Sequence, residues 1–219
     1  MPNGKNKVLA INGGPPVRIN SLPYGRQSIS EEDIVAVTEV LRSDWLTTGP
    51  KVGEFEDAVA QYVGARYAVA FNSGTASLHA AVFAAGLGRG DEAITTPITF
   101  CATANCVLYL DAKPVFADVS TDTLNINPEA IADRITPSTK ALLPVDYSGH
   151  PVDLDTIIAM AEENELVVIE DAAHALGAEY KGRMIGSLSH MTTFSFHPVK
   201  HITTGEGGLI VTNDKFIAF

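Results

Sequence analysis

Residues 166–174 read Leu-Val-Val-Ile-Glu-Asp-Ala-Ala-His, and this stretch indicates the fold class. Its four leading apolar residues do not alternate with polar ones, which is typical of a strand that helices cover on both faces. Asp171 follows this run, and His174 lies three residues further on. Ligands of open α/β sheets bind beyond the carboxyl ends of the strands. We therefore predict a buried strand that brings an acid and a histidine to a ligand-binding edge, although a helix N-cap with a satisfied histidine explains the pair equally well.

Similar apolar runs alternate with amphipathic segments along the rest of the chain. Strands are predicted at 67–71, 92–96, 114–117, 141–145, 166–169, 192–196 and 208–212. Helices are predicted near 31–41, with Ser30 as the N-cap, and near 52–63, 78–85, 101–110, 128–134 and 154–163. This alternation is the pattern of an α/β fold with a seven-stranded, mostly parallel sheet between helices. Residues 1–30 are rich in Gly, Pro and Asn and are expected to form an irregular N-terminal arm, before one domain over 31–219.

The composition excludes several classes of function. The 219-residue chain has a formal net charge of −11, so it lacks the basic face that nucleic-acid binding requires. No apolar run approaches the roughly 20 residues of a membrane-spanning helix. Two cysteines, Cys101 and Cys106, make neither a disulfide framework nor a four-ligand zinc site. We therefore expect a cytoplasmic enzyme or binding domain with no nucleic-acid partner, no membrane partner and no metal.

Small residues after the first predicted strand form a candidate anion site. Ser73, Gly74 and Thr75 open a helix, where backbone N–H groups and hydroxyls can hold a phosphate. The glycine and lysine spacing of Walker A and dinucleotide motifs is missing, which speaks against a Rossmann-type dehydrogenase. A plain N-cap in a tight turn remains the alternative for these residues taken alone.

Two further strand ends carry an aromatic residue and a lysine. Phe100 follows the second strand, and core packing is the usual role of a phenylalanine. Ser195 ends the sixth strand, and Lys200 comes shortly after it. This lysine is either a surface charge or an amine that forms a Schiff base with a cofactor.

The combination of these strand ends is more specific than any one of them. A phosphate cradle, an aromatic ring, the Asp171–His174 pair and Lys200 each follow a different strand. Pyridoxal phosphate needs such a set: a helix N-terminus for its phosphate, a stacking ring, a carboxylate at its pyridine nitrogen and a lysine for its aldehyde. The sequence therefore predicts pyridoxal 5′-phosphate as the cofactor.

Five segments resemble the DegT/DnrJ/EryC1/StrS family of sugar aminotransferases: FNSGTASLHAA, TTPITFCATANCVLY, AKPVFADV, IEDAAHALGAEYKG and FSFHPVKHITTGEGG. The resemblance implies the large domain of type I pyridoxal-phosphate-dependent transferases over 31–219, without the small C-terminal domain of such enzymes. It also implies transfer of an amino group from glutamate to a nucleotide-linked keto sugar, by a homodimer when full length.

Two more segments, LPYGRQSISEEDI and PVDYSGHPVDLD, and especially FSFHPVKHITTGEGG, look most like family members of the pseudaminic-acid pathway. That similarity implies amination at C4 of a UDP-linked 4-keto-6-deoxy sugar. A truncated, catalytically silent homologue that serves as a cofactor-binding or interaction module is the alternative.

The resemblance assigns roles to residues by position. It makes Lys200 the lysine that carries the cofactor and Asp171 the acid at the pyridine nitrogen, both catalytic, and it puts His174 beside the ring hydroxyl. Further cofactor contacts are implied for Gly74, Thr75, Ser195 and, by stacking on the ring, Phe100. Substrate contacts are implied for Tyr24, Leu46, Thr47, Thr48 and Gly49.

Overall fold

The computed structural model describes residues 8–23 and 25–218. Its strands are β1 (Tyr67–Phe71), β2 (Glu92–Thr95), β3 (Lys113–Phe116), β4 (Thr139–Leu143), β5 (Val167–Asp171), β6 (Glu179–Tyr180), β7 (Arg183–Met184), β8 (Met191–Ser195) and β9 (Gly208–Thr212). Its α-helices are α1 (Glu31–Arg42), α2 (Pro50–Val63), α3 (Gly74–Ala84), α4 (Ala102–Leu108), α5 (Pro128–Ala132), α6 (Leu154–Glu163) and α7 (Lys215–Ala218).

Seven of the strands form one sheet in the order β1-β9-β8-β5-β4-β2-β3. The pairs β8–β5, β5–β4, β4–β2 and β2–β3 are parallel. β9 lies between β1 and β8 and is antiparallel to both. The predicted seven-stranded, mostly parallel α/β sheet is therefore confirmed.

Successive residues of the central strands bury their side chains on opposite faces of the sheet. Leu142 and Val168 belong to the core on the side of α2, α5 and α6. Leu143 and Ile169, the next residue in each strand, belong to the core on the side of α3 and α4. Two apolar layers therefore enclose the sheet, which explains why the strand sequences are apolar without alternation.

Several local predictions hold, with shifts at the ends of elements. Ser30 caps α1 as predicted, since its Oγ accepts from the Asp33 N–H at 3.2 Å and Asp33 Oδ2 accepts from the Ser30 N–H at 2.8 Å. β5 continues two residues beyond the predicted end at Ile169, because the backbone ladder runs on through Glu170 and Asp171.

The short β6–β7 hairpin is not in the sequence prediction. Its turn residues, Lys181 and Gly182, both have positive φ, as the tight hairpin turns require. Between residues 8 and 30, the described part of the arm has one short 3-10 turn at Ala10–Asn12 and no strand or α-helix. Within the described residues, no helix is both long and apolar enough to cross a membrane.

Candidate active site

A cavity of about 910 Å³ lies where the carboxyl ends of β1, β2, β4, β5 and β8 meet. Its lining includes all seven residues predicted to hold the cofactor: Gly74, Thr75, Phe100, Asp171, His174, Ser195 and Lys200. These residues come from four separate parts of the sequence, which lie at or after the ends of β1, β2, β5 and β8. Their convergence follows from the parallel sheet, because parallel strands end at the same edge.

The turn between β1 and α3 forms a compact cradle at one end of this cavity. Ser73 caps α3, and its Oγ accepts from the Ala76 N–H at 3.1 Å. The first N–H groups of a helix have no partner inside the helix, so those of Gly74 and Thr75 can bind an anion. Ser195 stands against this turn, since a Cβ added at Gly74 would lie 2.9 Å from its Cβ.

Gly208, the first residue of β9, lets the cradle approach the sheet. A Cβ at this position would lie 2.2 Å from the Ser73 carbonyl oxygen and 2.6 Å from the Gly74 nitrogen. Both neighbours are backbone atoms, so a rotamer change cannot relieve the contact. The turn can pack this closely only against glycine.

Asp171 is held rigidly at the end of β5. Its side chain is buried, and its Oδ2 accepts from Thr103 Oγ1 at 2.7 Å while its Oδ1 accepts from the Ala173 N–H at 3.2 Å. Burial raises the pKa of Asp171, and the hydrogen bonds from Thr103 and Ala173 and the charges of Lys200 and His174 oppose that rise. A cation placed in the cavity beside this carboxylate would favour its ionised form further.

Lys200 and His174 lie in the same electrostatic environment. Burial lowers the pKa of Lys200 from its usual range, and the charge of Asp171 partly restores it. Burial also lowers the pKa of His174, with a further contribution from the charge of Lys200. The site thus combines an amine that gives up its proton more readily than a free lysine with an imidazole that favours its neutral form.

Phe100 and Tyr147 are two aromatic residues that line the cavity. Phe100 remains 72% exposed, so it belongs to the cavity wall and not to the apolar core. Tyr147 is fixed by its N–H, which donates to Asn125 Oδ1 at 3.0 Å. Asn125 is itself buried and also donates to the carbonyl of His150 at 2.9 Å, so it fastens the loop after β4.

Two further buried carboxyl groups, those of Asp146 and Glu170, lie at the strand ends, and Asp146 also lines the cavity. Asp146 Oδ1 accepts from the Val152 N–H, and Glu170 Oε2 accepts from Ser189 and Thr192. Burial raises the pKa of both acids, and the charge of Glu170 raises that of Asp146 further. Asp146 Oδ2 and Glu170 Oε1 have no donor elsewhere in the described chain. Two neighbouring buried carboxylates cannot both ionise cheaply, so the ionised form of one disfavours ionisation of the other.

The predicted substrate residues are not brought to the cavity. Leu46, Thr47, Thr48 and Gly49 lie in the turn before α2, where a Cβ at Gly49 would contact the Trp45 side chain at 2.8 Å. None of them lines the cavity. Their implied substrate contact therefore rests on the resemblance alone. Tyr24 lies outside the described residues.

Sequence reasoning missed several residues of the site. Thr103 contacts Asp171 across 68 positions of sequence, and no local pattern links the two. Gly208 lies in a strand whose place beside β1 only the topology reveals. His197 and Glu206 line the cavity with Nε2 and Oε1 3.7 Å apart, and both fall in FSFHPVKHITTGEGG, one of the segments that carry the family resemblance.

The residues of this cavity fit pyridoxal phosphate. Gly74 and Ser195 lie close together, so N–H groups and hydroxyls of this region can bind the same phosphate. Asp171 provides a buried carboxylate, and Lys200 provides an amine with a lowered pKa. Among residues 8–23 and 25–218, no group of three or more His, Cys, Asp and Glu side chains is placed to hold a metal ion.

Comparisons with known proteins agree with this geometry. The sequence model of the DegT/DnrJ/EryC1/StrS aminotransferase family matches residues 27–218. The spore coat polysaccharide biosynthesis protein SpsC of Bacillus subtilis is 49% identical over 201 residues, which are 92% of this chain and 52% of SpsC. The chain thus spans about half the length of the curated relatives it matches.

Solved structures share the fold. DesI, determined with its TDP-sugar product, is 39% identical with a TM-score of 0.90, covering 96% of this chain and 54% of DesI. PseC of Helicobacter pylori, an aminotransferase of pseudaminic-acid biosynthesis, is 36% identical with a TM-score of 0.86, covering 91% and 54%. The PLP form of the sugar aminotransferase homologue Spr1654 from Streptococcus pneumoniae is 33% identical with a TM-score of 0.86, covering 90% and 54%.

Proposed function

Since the chain belongs to the DegT/DnrJ/EryC1/StrS aminotransferase family, whose cofactor is pyridoxal 5′-phosphate, we propose that it carries the cofactor-binding domain of a nucleotide-sugar aminotransferase. One observation carries the proposal: a cradle at a helix N-terminus, a buried carboxylate and a lysine with a lowered pKa line a single cavity. We assign residues 31–219 to this domain and residues 1–30 to an arm before it; residues 1–7, 24 and 219 lie outside the part of the chain that the structure describes.

Each side chain has a distinct task in this proposal. Gly74, Thr75 and Ser195 bind the cofactor's phosphate, and Phe100 covers one face of its ring. Asp171 keeps the pyridine nitrogen protonated, because a buried carboxylate favours a neighbouring cation. His174 adjoins the ring hydroxyl. When bound, pyridoxal phosphate supplies an electron sink for negative charge at the substrate's carbon.

Lys200 does the proton transfer. Its Nζ would hold the cofactor through the aldehyde and would be free while the donor is bound. The free Nζ then accepts the proton from the donor's α-carbon and later returns it, as general base and acid. Burial already lowers the pKa of this amine, which brings it closer to the operating pH.

The substrate is a nucleotide-linked 4-keto-6-deoxy sugar, UDP-linked and aminated at C4 as in pseudaminic-acid biosynthesis, with glutamate as the amino donor. The likeness to PseC supports the pathway, and the sugar product in DesI supports the nucleotide-sugar class. Lys200 is the one Lys or Arg among the described residues that lines the cavity. Cations for the diphosphate must therefore come from another segment or from the partner of a cytoplasmic homodimer.

The first experiment tests Lys200. The chain is incubated with pyridoxal phosphate, reduced with borohydride and digested, and the modified peptide is identified by mass spectrometry. Modification at Lys200 is expected in the wild type and in a Lys140→Ala control, whose lysine lies outside the cavity. Lys200→Ala should lose the covalent product and transamination while keeping some cofactor binding. Turnover by this variant without an added amine would refute the assignment.

A second experiment tests the substrate in a chain extended to the length of its relatives. Ketosugars linked to UDP, dTDP and GDP are compared with glutamate as donor. Preferred amination of the UDP sugar at C4 is expected. A preference for another nucleotide would correct the substrate, whereas covalent cofactor without turnover on any sugar would favour the catalytically silent module.

A further inference from the structure

Thr103 occupies the first turn of α4 and is completely buried. Its Oγ1 lies 2.7 Å from Asp171 Oδ2 and 3.1 Å from the carbonyl oxygen of Phe100. A hydroxyl has one proton to donate. The shorter contact and the negative charge of the carboxylate both favour Asp171 as the acceptor.

Thr99 completes a short relay of hydroxyl groups. Its Oγ1 lies 2.7 Å from Thr103 Oγ1. Because Thr103 donates its proton to Asp171, Thr99 must be the donor in this second bond. Thr99 lines the cavity, whereas Thr103 lies beneath it. Both hydroxyls therefore donate in the same direction: Thr99 at the cavity wall donates to Thr103, and Thr103 donates to the Asp171 carboxylate.

The backbone of Asp171 is fixed independently of its side chain. The Asp171 N–H donates to the Pro144 carbonyl at 2.9 Å, and its carbonyl accepts from the Asp146 N–H at 3.1 Å. The remaining freedom is rotation of the carboxylate. Of the two hydrogen bonds to the carboxylate, the one from Thr103 is shorter than the 3.2 Å bond from Ala173.

We propose that Thr103 is a positioning residue that fixes the Asp171 carboxylate and keeps it ionised, with Thr99 directing the Thr103 hydroxyl. The inference rests on the proposed function for its catalytic consequence, since there Asp171 serves the pyridine nitrogen. The hydroxyl itself touches neither cofactor nor substrate. Its loss removes the strongest group that opposes the rise in the pKa of Asp171 on burial.

The test compares Thr103→Val, which keeps the shape of the side chain, with Thr103→Ser, which keeps the hydroxyl. Thr95→Val is the matched control, because Thr95 is equally buried but donates to the Leu143 carbonyl at 2.8 Å. The ionisation of Asp171 is followed in the cofactor-free chain by the infrared carboxyl band of ¹³C-labelled aspartate. The band is assigned by its loss in Asp171→Asn. We expect Thr103→Val to shift this titration to higher pH, and Thr103→Ser and Thr95→Val to leave it near that of the wild type.

The cofactor-bound enzyme gives a second readout. The pH dependence of the bound cofactor's absorbance should shift in Thr103→Val, and kcat should fall about ten- to a hundredfold with a smaller change in KM, as the loss of one hydrogen bond to a charged group predicts. Thr103→Ser should restore most of both. If Thr103→Val does not fold, Thr103→Ala replaces it, since alanine favours a helix.

The two readouts separate the failure of this inference from that of the proposed function. An unchanged Asp171 titration in a folded Thr103 variant without the hydroxyl would overturn the inference, whatever the activity. A shifted titration in a protein that forms no covalent product at Lys200 would support the role of Thr103 and refute the proposed function.

Discussion

Replacing Gly208 with alanine measures how far the cofactor cradle depends on the close approach of β1 and β9. The new Cβ would lie 2.2 Å from the Ser73 carbonyl oxygen, 2.3 Å from its carbon and 2.6 Å from the Gly74 nitrogen. Ordinary contacts need at least about 3.4 Å. Because all three neighbours are backbone atoms, the cradle must move by about 1 Å. Overpacking of this kind costs about 1–3 kcal/mol of unfolding free energy.

The same movement displaces the N–H groups that bind the cofactor's phosphate. We expect Gly208→Ala to weaken cofactor binding about tenfold, which corresponds to roughly 1.4 kcal/mol. Urea unfolding without cofactor measures the first effect, and titration with pyridoxal phosphate measures the second. Gly88→Ala is the matched control, because a Cβ there meets nothing within 4 Å. If the two variants have equal unfolding midpoints and equal cofactor affinities, the close-approach argument is wrong.

Three further predictions concern the acid, the thiols and the length of the chain. Asp171→Asn should keep the fold but greatly reduce turnover, since a neutral amide cannot hold the pyridine nitrogen protonated. A thiol reagent at neutral pH should label exposed Cys101 and spare buried Cys106. Burial raises the pKa of Cys106 from 9.0 to about 12. The stability that the buried thiol contributes should therefore be intact below pH 9 and lost towards pH 12, and comparing the alkaline unfolding of the wild type with that of Cys106→Ala measures this loss. A chain extended to the length of its relatives should turn over far faster than these 219 residues, because further cover over the cavity excludes water.

A specific result would contradict each of these predictions. Near-wild-type turnover in Asp171→Asn would reduce Asp171 to a structural cap. Labelling of both thiols at equal rates in the folded chain would contradict the packing around α4. Equal turnover by the 219-residue and extended chains would show that the additional segment contributes nothing to catalysis.

The sequence predicts those features of the fold that depend on local pattern. β5 and β9 contain continuous apolar runs, and Ser30 carries the signature of a helix cap. The sequence can place Asp171, His174 and Lys200 at the ligand-binding edge because each comes directly or shortly after a predicted strand. Thr103 is not, since its role depends on a contact with Asp171 that only the packing of α4 against β5 creates. The substrate role of residues 46–49 rests on the resemblance, and none of these residues lines the cavity.

The position of β9 in the sheet bears on the order in which the molecule assembles. β1 is an edge strand whose ladder partner is β9, so its backbone hydrogen bonds, such as those between Phe71 and Gly208, cannot form before β9 has been synthesised. The backbone ladders that join β3, β2, β4 and β5 include no residue beyond 171, so these strands can pair earlier during synthesis. Until β9 emerges from the ribosome, β1 presents an open edge to other chains. Because the cradle follows β1 and Lys200 lies between β8 and β9, the nascent chain acquires its cofactor site only with the last strand of the sheet.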